Sequence, residues 1–162
     1  MNDKFMFRKI GQVRLEAENT FLVILPPFRL ALKGLEQFSH VIVFGWVDQE
    51  VLPGYPDFVT RSPECAQDRL SGVFATRFPF RPNPLLSTVC KIESVDHKNG
   101  SVQIQTIDMF DGTPLIDLKP YYPVVDQVPD ARIPQWLADW PNWAPQEGIG
   151  FEPYEIKVYK IK

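Results

Sequence analysis

The sequence predicts a mainly β protein: a closed or nearly closed β-barrel followed by a short tail that contains a helix. Three observations predict it. Short runs rich in Val, Ile, Thr and aromatic residues recur at close spacing along the chain. The 16 prolines are spread out and stand at the ends of those runs, where a missing N–H does no harm. Little of the sequence carries the 3.6-residue apolar period of a helix. Many short strands with few helices suit a barrel, in which no sheet edge stays open. At 162 residues the chain fits one domain with an appendage, expected as a barrel over 1–128 and a tail over 129–162.

The strands follow in order. Residues 5–14 form an apolar-rich run broken at Gly11, and 20–25 (TFLVIL) form a second run stopped by Pro26 and Pro27. Residues 29–36 read as a helical turn or two, weakened by Gly34. The most apolar run, FSHVIVFGWV at 38–47, reads as a strand buried on both faces. Residues 48–70 carry Pro53, Gly54, Pro56 and Pro63 and read as a long loop. A strand is expected over 70–76 and another over 87–95. Asn99-Gly100 is a strong hairpin signal joining the latter to 101–107, with Val102, Ile104 and Thr106 on one face. Residues 108–123 read as a turn, a short strand and a proline stop. Residues 133–140 suit a short helix with Pro134 in its first turn, and 155–161 (EIKVYKI) suit a half-exposed strand.

Composition excludes several functions. A net charge of −3 argues against a dedicated nucleic-acid binder, though it permits a local basic patch. Cys65 and Cys90 have no metal spacing, and His40 and His97 lack ligand partners in sequence, so no metal is expected. The N-terminus has no signal-peptide apolar core, and no run approaches the ~18 apolar residues of a membrane span. A cytoplasmic protein with no membrane association is therefore expected.

Two segments could carry chemistry. In GVFATRFPFRPNPLL, residues 72–86, Pro79, Pro82 and Pro84 fix the backbone and push their preceding residues toward extended geometry. A segment ordered in advance loses less entropy on binding. Arg77 and Arg81 suit a carboxylate or phosphate, and Asn83 offers both a donor and an acceptor. The same residues also fit a loop capped by its own arginines. In DMFDGTPLIDLKPY, residues 108–121, Asp108, Asp111 and Asp117 cluster around a turn. They could accept from ribose hydroxyls or an amine, or Asp111 could simply close an Asx turn. Trp136, Trp140 and Trp143 crowd the tail. They either pack over the barrel or a partner subunit, or offer a ring on which a base stacks.

These segments carry a resemblance. GVFATRFPFRPNP resembles the GVFATRSPxRPNPIG hallmark of the TrmO/YaeB (TsaA-like) family, and DMFDGTPLIDLKPY resembles its second hallmark, DLxDGTPVxDIKPY. GLEQFSHVIVFGWV, residues 34–47, is similar to a third block. The resemblance implies a single-sheeted β-barrel that binds S-adenosylmethionine (SAM), works as a homodimer and methylates the exocyclic amine of threonylcarbamoyl-adenosine beside a tRNA anticodon. Carried over, the cofactor site comprises Arg77, Ser87 and Thr106, Ile107 and Asp108, with Val47, Asp48 and Gln49 at a strand end and Arg81, Asn83 and Asp111 beside them. Methyl transfer needs in-line approach of amine to methyl, so positioning dominates. A base need only accept the departing proton, and Asp108 and Asp111 are the candidates.

The chain also departs from the family pattern. A proline-arginine-glutamine loop after the first strand is missing, Asp48 stands where the family has histidine, Phe78 replaces serine, and Leu85-Leu86 replace Ile-Gly. The tail after 128 does not resemble the extra C-terminal domain of some members. Two alternatives stay open: a SAM-dependent enzyme acting on a small molecule or another RNA, and a SAM-binding protein without catalysis.

Overall fold

A computed structural model describes residues 6–47, 59–61, 70–79, 81–138 and 140. Six strands form an antiparallel closed barrel: β1 (Gly11–Glu16), β2 (Asn19–Ile24), β3 (His40–Trp46), β6 (Leu85–Asp96), β7 (Ser101–Ile104) and β8 (Pro114–Pro120). Around the barrel their order is β1-β2-β7-β6-β3-β8, with β8 returning to β1. Strands β4 (Val59–Arg61) and β5 (Leu70–Gly72) form a separate two-stranded sheet.

Alternation builds the core. Val13, Leu22, Val41, Val43, Val102 and Leu115 are fully buried inside the barrel, and β-branched residues suit such pleated positions. Burying each such side chain contributes about 1.5–3 kcal/mol. The predicted double-sided burial of the 38–47 run does not hold. In β3 only Val41, Val43 and Gly45 are buried, while Ile42, Phe44 and Trp46 face outward and are half-buried. A barrel has one inside, so even a very apolar strand shows its alternate residues to the exterior.

Turn chemistry closes one end. The expected Asn99-Gly100 turn joins β6 to β7, with Gly100 at φ 71°. A side chain on Gly100 would collide with Arg29, whose guanidinium donates to Ile24 O at 3.4 Å and Lys98 O at 3.3 Å. The expected helical turns are 3-10 helices at Pro26–Leu32 and Leu35–Gln37, and they place Leu32 and Leu35 under the barrel. His97, at the same end, pairs with Glu36 at 3.1 Å. His40 is half-buried, bonded to Ser39 Oγ at 2.8 Å and set edge-on to the Tyr121 ring.

The DGTP turn closes the barrel's seam. β1 and β8 share only two paired positions, Gly11↔Leu115 and Gln12↔Pro114. Beyond them Val13 N donates to Thr113 O and Gly112 N to Val13 O, each at 2.9 Å. Gly112 sits at φ 79°, a conformation that favours glycine. Asp111 Oδ1 accepts from Leu15 N at 2.9 Å, so its local Asx reading is replaced by a tie to β1. The first strand lies at Gly11–Glu16 rather than over 5–14, because these contacts hold the chain from Ile10 onward. β1 joins β2 through Ala17 and Glu18 alone, which matches the missing loop noted in the sequence.

The tail carries less helix than expected. Residues Pro123–Asp126 form α1, a single turn, and Gln135–Leu137 form a 3-10 turn where a longer helix was predicted. Trp143 and the expected strand over 155–161 lie outside the described residues. Among the described residues no helix is long and apolar enough to cross a membrane.

Candidate functional site

The proline-arginine segment does not continue β5 as a strand. The strand stops at Gly72, and Val73–Ala75 form a 3-10 turn. Thr76 holds that turn: its Oγ1 donates to Val73 O at 3.0 Å and accepts from Phe78 N at 3.2 Å. Val73 and Pro84, near the two ends of the segment, are both buried, and Pro84 O accepts from Val47 N at 3.0 Å. The residues between them stand at the rim.

Strand lengths create a place for Arg77. β6 is 12 residues long and β7 only 4, so the upper part of β6 runs past the end of its neighbour. Backbone groups alternate sides along a strand. Lys91 O accepts from Gln105 N on the β7 side, so Ser87, an even number of residues earlier, turns its carbonyl to the same side beyond β7. Arg77 Nη2 donates to that carbonyl and, at 3.0 Å, to Ser87 Oγ. A guanidinium has five donors, and Nη2 serves both contacts, leaving those on Nη1 and Nε. The structure thus brings two predicted site residues, Arg77 and Ser87, together.

Arg81 has a different place. Its Nη1 donates to Thr76 O at 3.0 Å and Phe78 O at 3.3 Å, so it braces its own loop, as the capped-loop reading anticipated. Asn83 is exposed, and its carbonyl accepts from Leu85 N at 2.7 Å. Val47 is half-buried at the end of β3 and donates to Pro84 O at 3.0 Å. Asp48 and Gln49 lie outside the described residues.

The acidic connection follows β7. Thr106 and Asp108 are exposed there, while Ile107 packs on the core. Thr106 therefore leaves the face shared by the buried Val102 and Ile104, because β7 ends at Ile104. Met109 is 7% exposed and plugs the barrel beneath this connection. Sequence reasoning missed its partner, Gly45. A Cβ there would lie 2.7 Å from Met109 Sδ and 3.1 Å from Thr113 Cγ2. The signal was a glycine inside an otherwise apolar strand, which marks a close approach. Thr76 was missed too; its hydroxyl role depends on a turn where a strand was expected.

The donor set suits a zwitterionic nucleoside. Arg77 offers cationic donors for a carboxylate, and Asp108 and Asp111 offer acceptors for an ammonium or ribose hydroxyls. One oxygen of Asp111 is already engaged by Leu15. Among the described residues no group of three His, Cys, Asp or Glu could hold a metal ion. Cys90 is buried in the core, and burial pushes its thiol up to about 12, far from a nucleophile.

The barrel has known relatives. The sequence profile of the tRNA-methyltransferase O N-terminal domain matches residues 10–127. The tRNA (adenine(37)-N6)-methyltransferase of Escherichia coli K12 is 34% identical over 146 residues, covering 78% of this chain and 62% of the relative. A "Probable S-adenosyl-L-methionine-binding protein" of Pyrococcus abyssi is 37% identical over 114 residues, covering 70% of this chain and 58% of the relative. A crystal structure of TrmO superposes with TM-score 0.62 at 33% identity, covering 81% of this chain and 64% of that one. The chain spans about half the length of the first curated relatives it matches, 46% and 54%. With the profile matched across the barrel and both hallmark segments, the chain belongs to the tRNA-methyltransferase O N-terminal domain family.

Proposed function

We propose that the chain is a SAM-dependent methyltransferase acting on the exocyclic amine of an adenosine in tRNA, with threonylcarbamoyl-adenosine beside the anticodon as acceptor. The observation that carries the reading is the Arg77–Ser87 contact on the overhanging part of β6, in a family whose relatives are named for SAM and for tRNA adenine methylation. SAM supplies the methyl group. In this reading Arg77 receives its carboxylate, and Ser87 fixes the guanidinium that does so. Asp108 takes the cofactor's amine or ribose, while Thr106, Ile107, Asp111 and Val47, Asp48 and Gln49 line the same site. Arg81 and Asn83 complete the rim, Arg81 by holding the loop in shape. The protein's contribution to rate is placement of the amine in line with the methyl group. Asp108 and Asp111 are the candidates to accept the proton the amine loses.

The reading extends to a cytoplasmic homodimer. A second reading, SAM binding without transfer, is favoured by the relative named only as a SAM-binding protein. One assay separates the two. Purified protein is incubated with methyl-labelled SAM and total tRNA from a strain lacking the activity. Label in one modified adenosine is expected. SAM binding by calorimetry with no label in tRNA favours the second reading, and label in a small-molecule fraction instead assigns another acceptor.

A further inference from the structure

The outward face of β8, β3 and β6 has a composition its surroundings do not explain. Because Val41, Val43 and Gly45 point inward, Ile42, Phe44 and Trp46 point out. Register sets Phe44 between Asp117 of β8 and Ser87 of β6, and Ile42 between Lys119 and Val89. Lys119 Nζ lies 5.8 Å from the Phe44 ring centroid, a cation–π arrangement. The Phe7 ring lies 5.4 Å from that of Trp46, and Val89 is 51% exposed. Thus aromatic and aliphatic surface runs up the middle strand with cations on both sides.

The charge on this face opposes that of the whole chain, whose net charge is −3. Lys119, Lys91 and the Arg77 guanidinium at Ser87 lie on it, and exposed Arg8 follows Phe7 in the chain. Among the described residues two carboxylates answer them. Asp117 Oδ1 accepts from Leu118 N at 2.9 Å, and Glu93 pairs with Lys91 at 3.3 Å. That exposed pair is weak, so a phosphate can compete for Lys91. Flat aromatic surface flanked by cations is what an unpaired RNA strand requires: rings stack on its bases and cations meet its phosphates.

We propose that the outward face of β8, β3 and β6 docks an unpaired RNA loop, with Phe44 and Trp46 as stacking platforms and Lys119 and Lys91 as phosphate contacts. The proposal rests on the tRNA-methyltransferase reading and adds to it where the substrate lies. Continuity supports it, since Arg77 stands on this face at the edge of the candidate cofactor site, so a loop lying along β3 runs toward that site.

Fluorescence anisotropy with a labelled RNA hairpin bearing an adenosine-containing unpaired loop tests it, over a range of salt. Each of Lys119→Gln and Lys91→Gln should lower the salt slope by about 0.7, the value for one phosphate on a single strand. Phe44→Leu keeps the apolar packing and should weaken binding about tenfold, with little effect on a fully paired duplex of the same length. Lys98→Gln, at the turn on the other end of the barrel, should change nothing. Unchanged affinity and slope in all three face variants would overturn the proposal. So would sedimentation showing that Phe44→Leu separates two copies of the chain while RNA binding persists, which would give the face to a second copy. SAM calorimetry on the wild type runs alongside. No heat there would overturn the methyltransferase reading, while the RNA titration would still decide the surface.

Discussion

Replacing Gly45 by alanine probes how the barrel holds the candidate site. The added Cβ would stand 2.7 Å from Met109 Sδ, 3.3 Å from Met109 Cε and 3.1 Å from Thr113 Cγ2. The first distance requires movement, and the atom that must move lies near the end of a flexible side chain. Met109 is 7% exposed, so it has little space to move into without lifting the Thr106–Asp111 connection. Overpacking a core costs about 1–3 kcal/mol, and alanine regains about 0.5–1 kcal/mol of the glycine's chain entropy. A net loss of about 1 kcal/mol follows, or about 2–4 °C in melting temperature for a chain of this size. SAM affinity should fall as well, because Asp108 and Asp111 flank Met109. A double-mutant cycle with Met109→Ala supplies the test. Calorimetric unfolding should show Gly45→Ala costing less in the Met109→Ala background than in the wild type. Equal costs in both backgrounds would refute the argument that these two residues fit against each other.

Other predictions follow from burial and turn chemistry. Cys90, with its thiol pushed up to about 12 by burial, should resist alkylation in native buffer and react once denaturant exposes it; labelling read by mass spectrometry checks this. The Asn99 backbone N–H, with the Asn99 side-chain amide and the Lys98 N–H, holds the Asp96 carboxyl below the ordinary aspartate value. A depressed pKa adds stability that is present above the unfolded value and lost as pH falls through the folded one. Denaturant titrations should therefore show stability falling on acidification below the ordinary aspartate range, with a shallower fall in Asp96→Ala.

Much of the barrel is legible in the sequence because its causes are local. Alternating Val and Ile, proline at strand ends and Asn99-Gly100 each act within a few residues; β2, β3 and β6 lie close to where they are expected, and β7 starts where expected but ends at Ile104. What escapes depends on residues far apart in the chain. The Leu15–Asp111 bond spans 96 positions, and no local rule distinguishes it from an Asx turn. The 70–76 run has strand-like composition, yet its second half turns: Val73 is buried, and the Thr76 hydroxyl closes the 3-10 turn on Val73 O. Double-sided burial of β3 was inferred from hydrophobicity alone, which cannot tell a buried face from an exposed apolar one. Of the candidate site, Arg77 and Asp108 are legible as residue types, while Ser87 enters only through the family resemblance. The division of labour between Arg77 and Arg81 is not legible, since it follows from β6 being longer than β7.

The candidate cofactor site turns on whether SAM meets Arg77. Isothermal titration calorimetry of SAM against wild-type protein, Arg77→Lys and Arg77→Ala measures this. A charge-assisted contact contributes about 1.5–3 kcal/mol, so Arg77→Ala should bind at least about tenfold more weakly, with Arg77→Lys between the two and the barrel's melting unchanged. Equal affinity in all three proteins would contradict it.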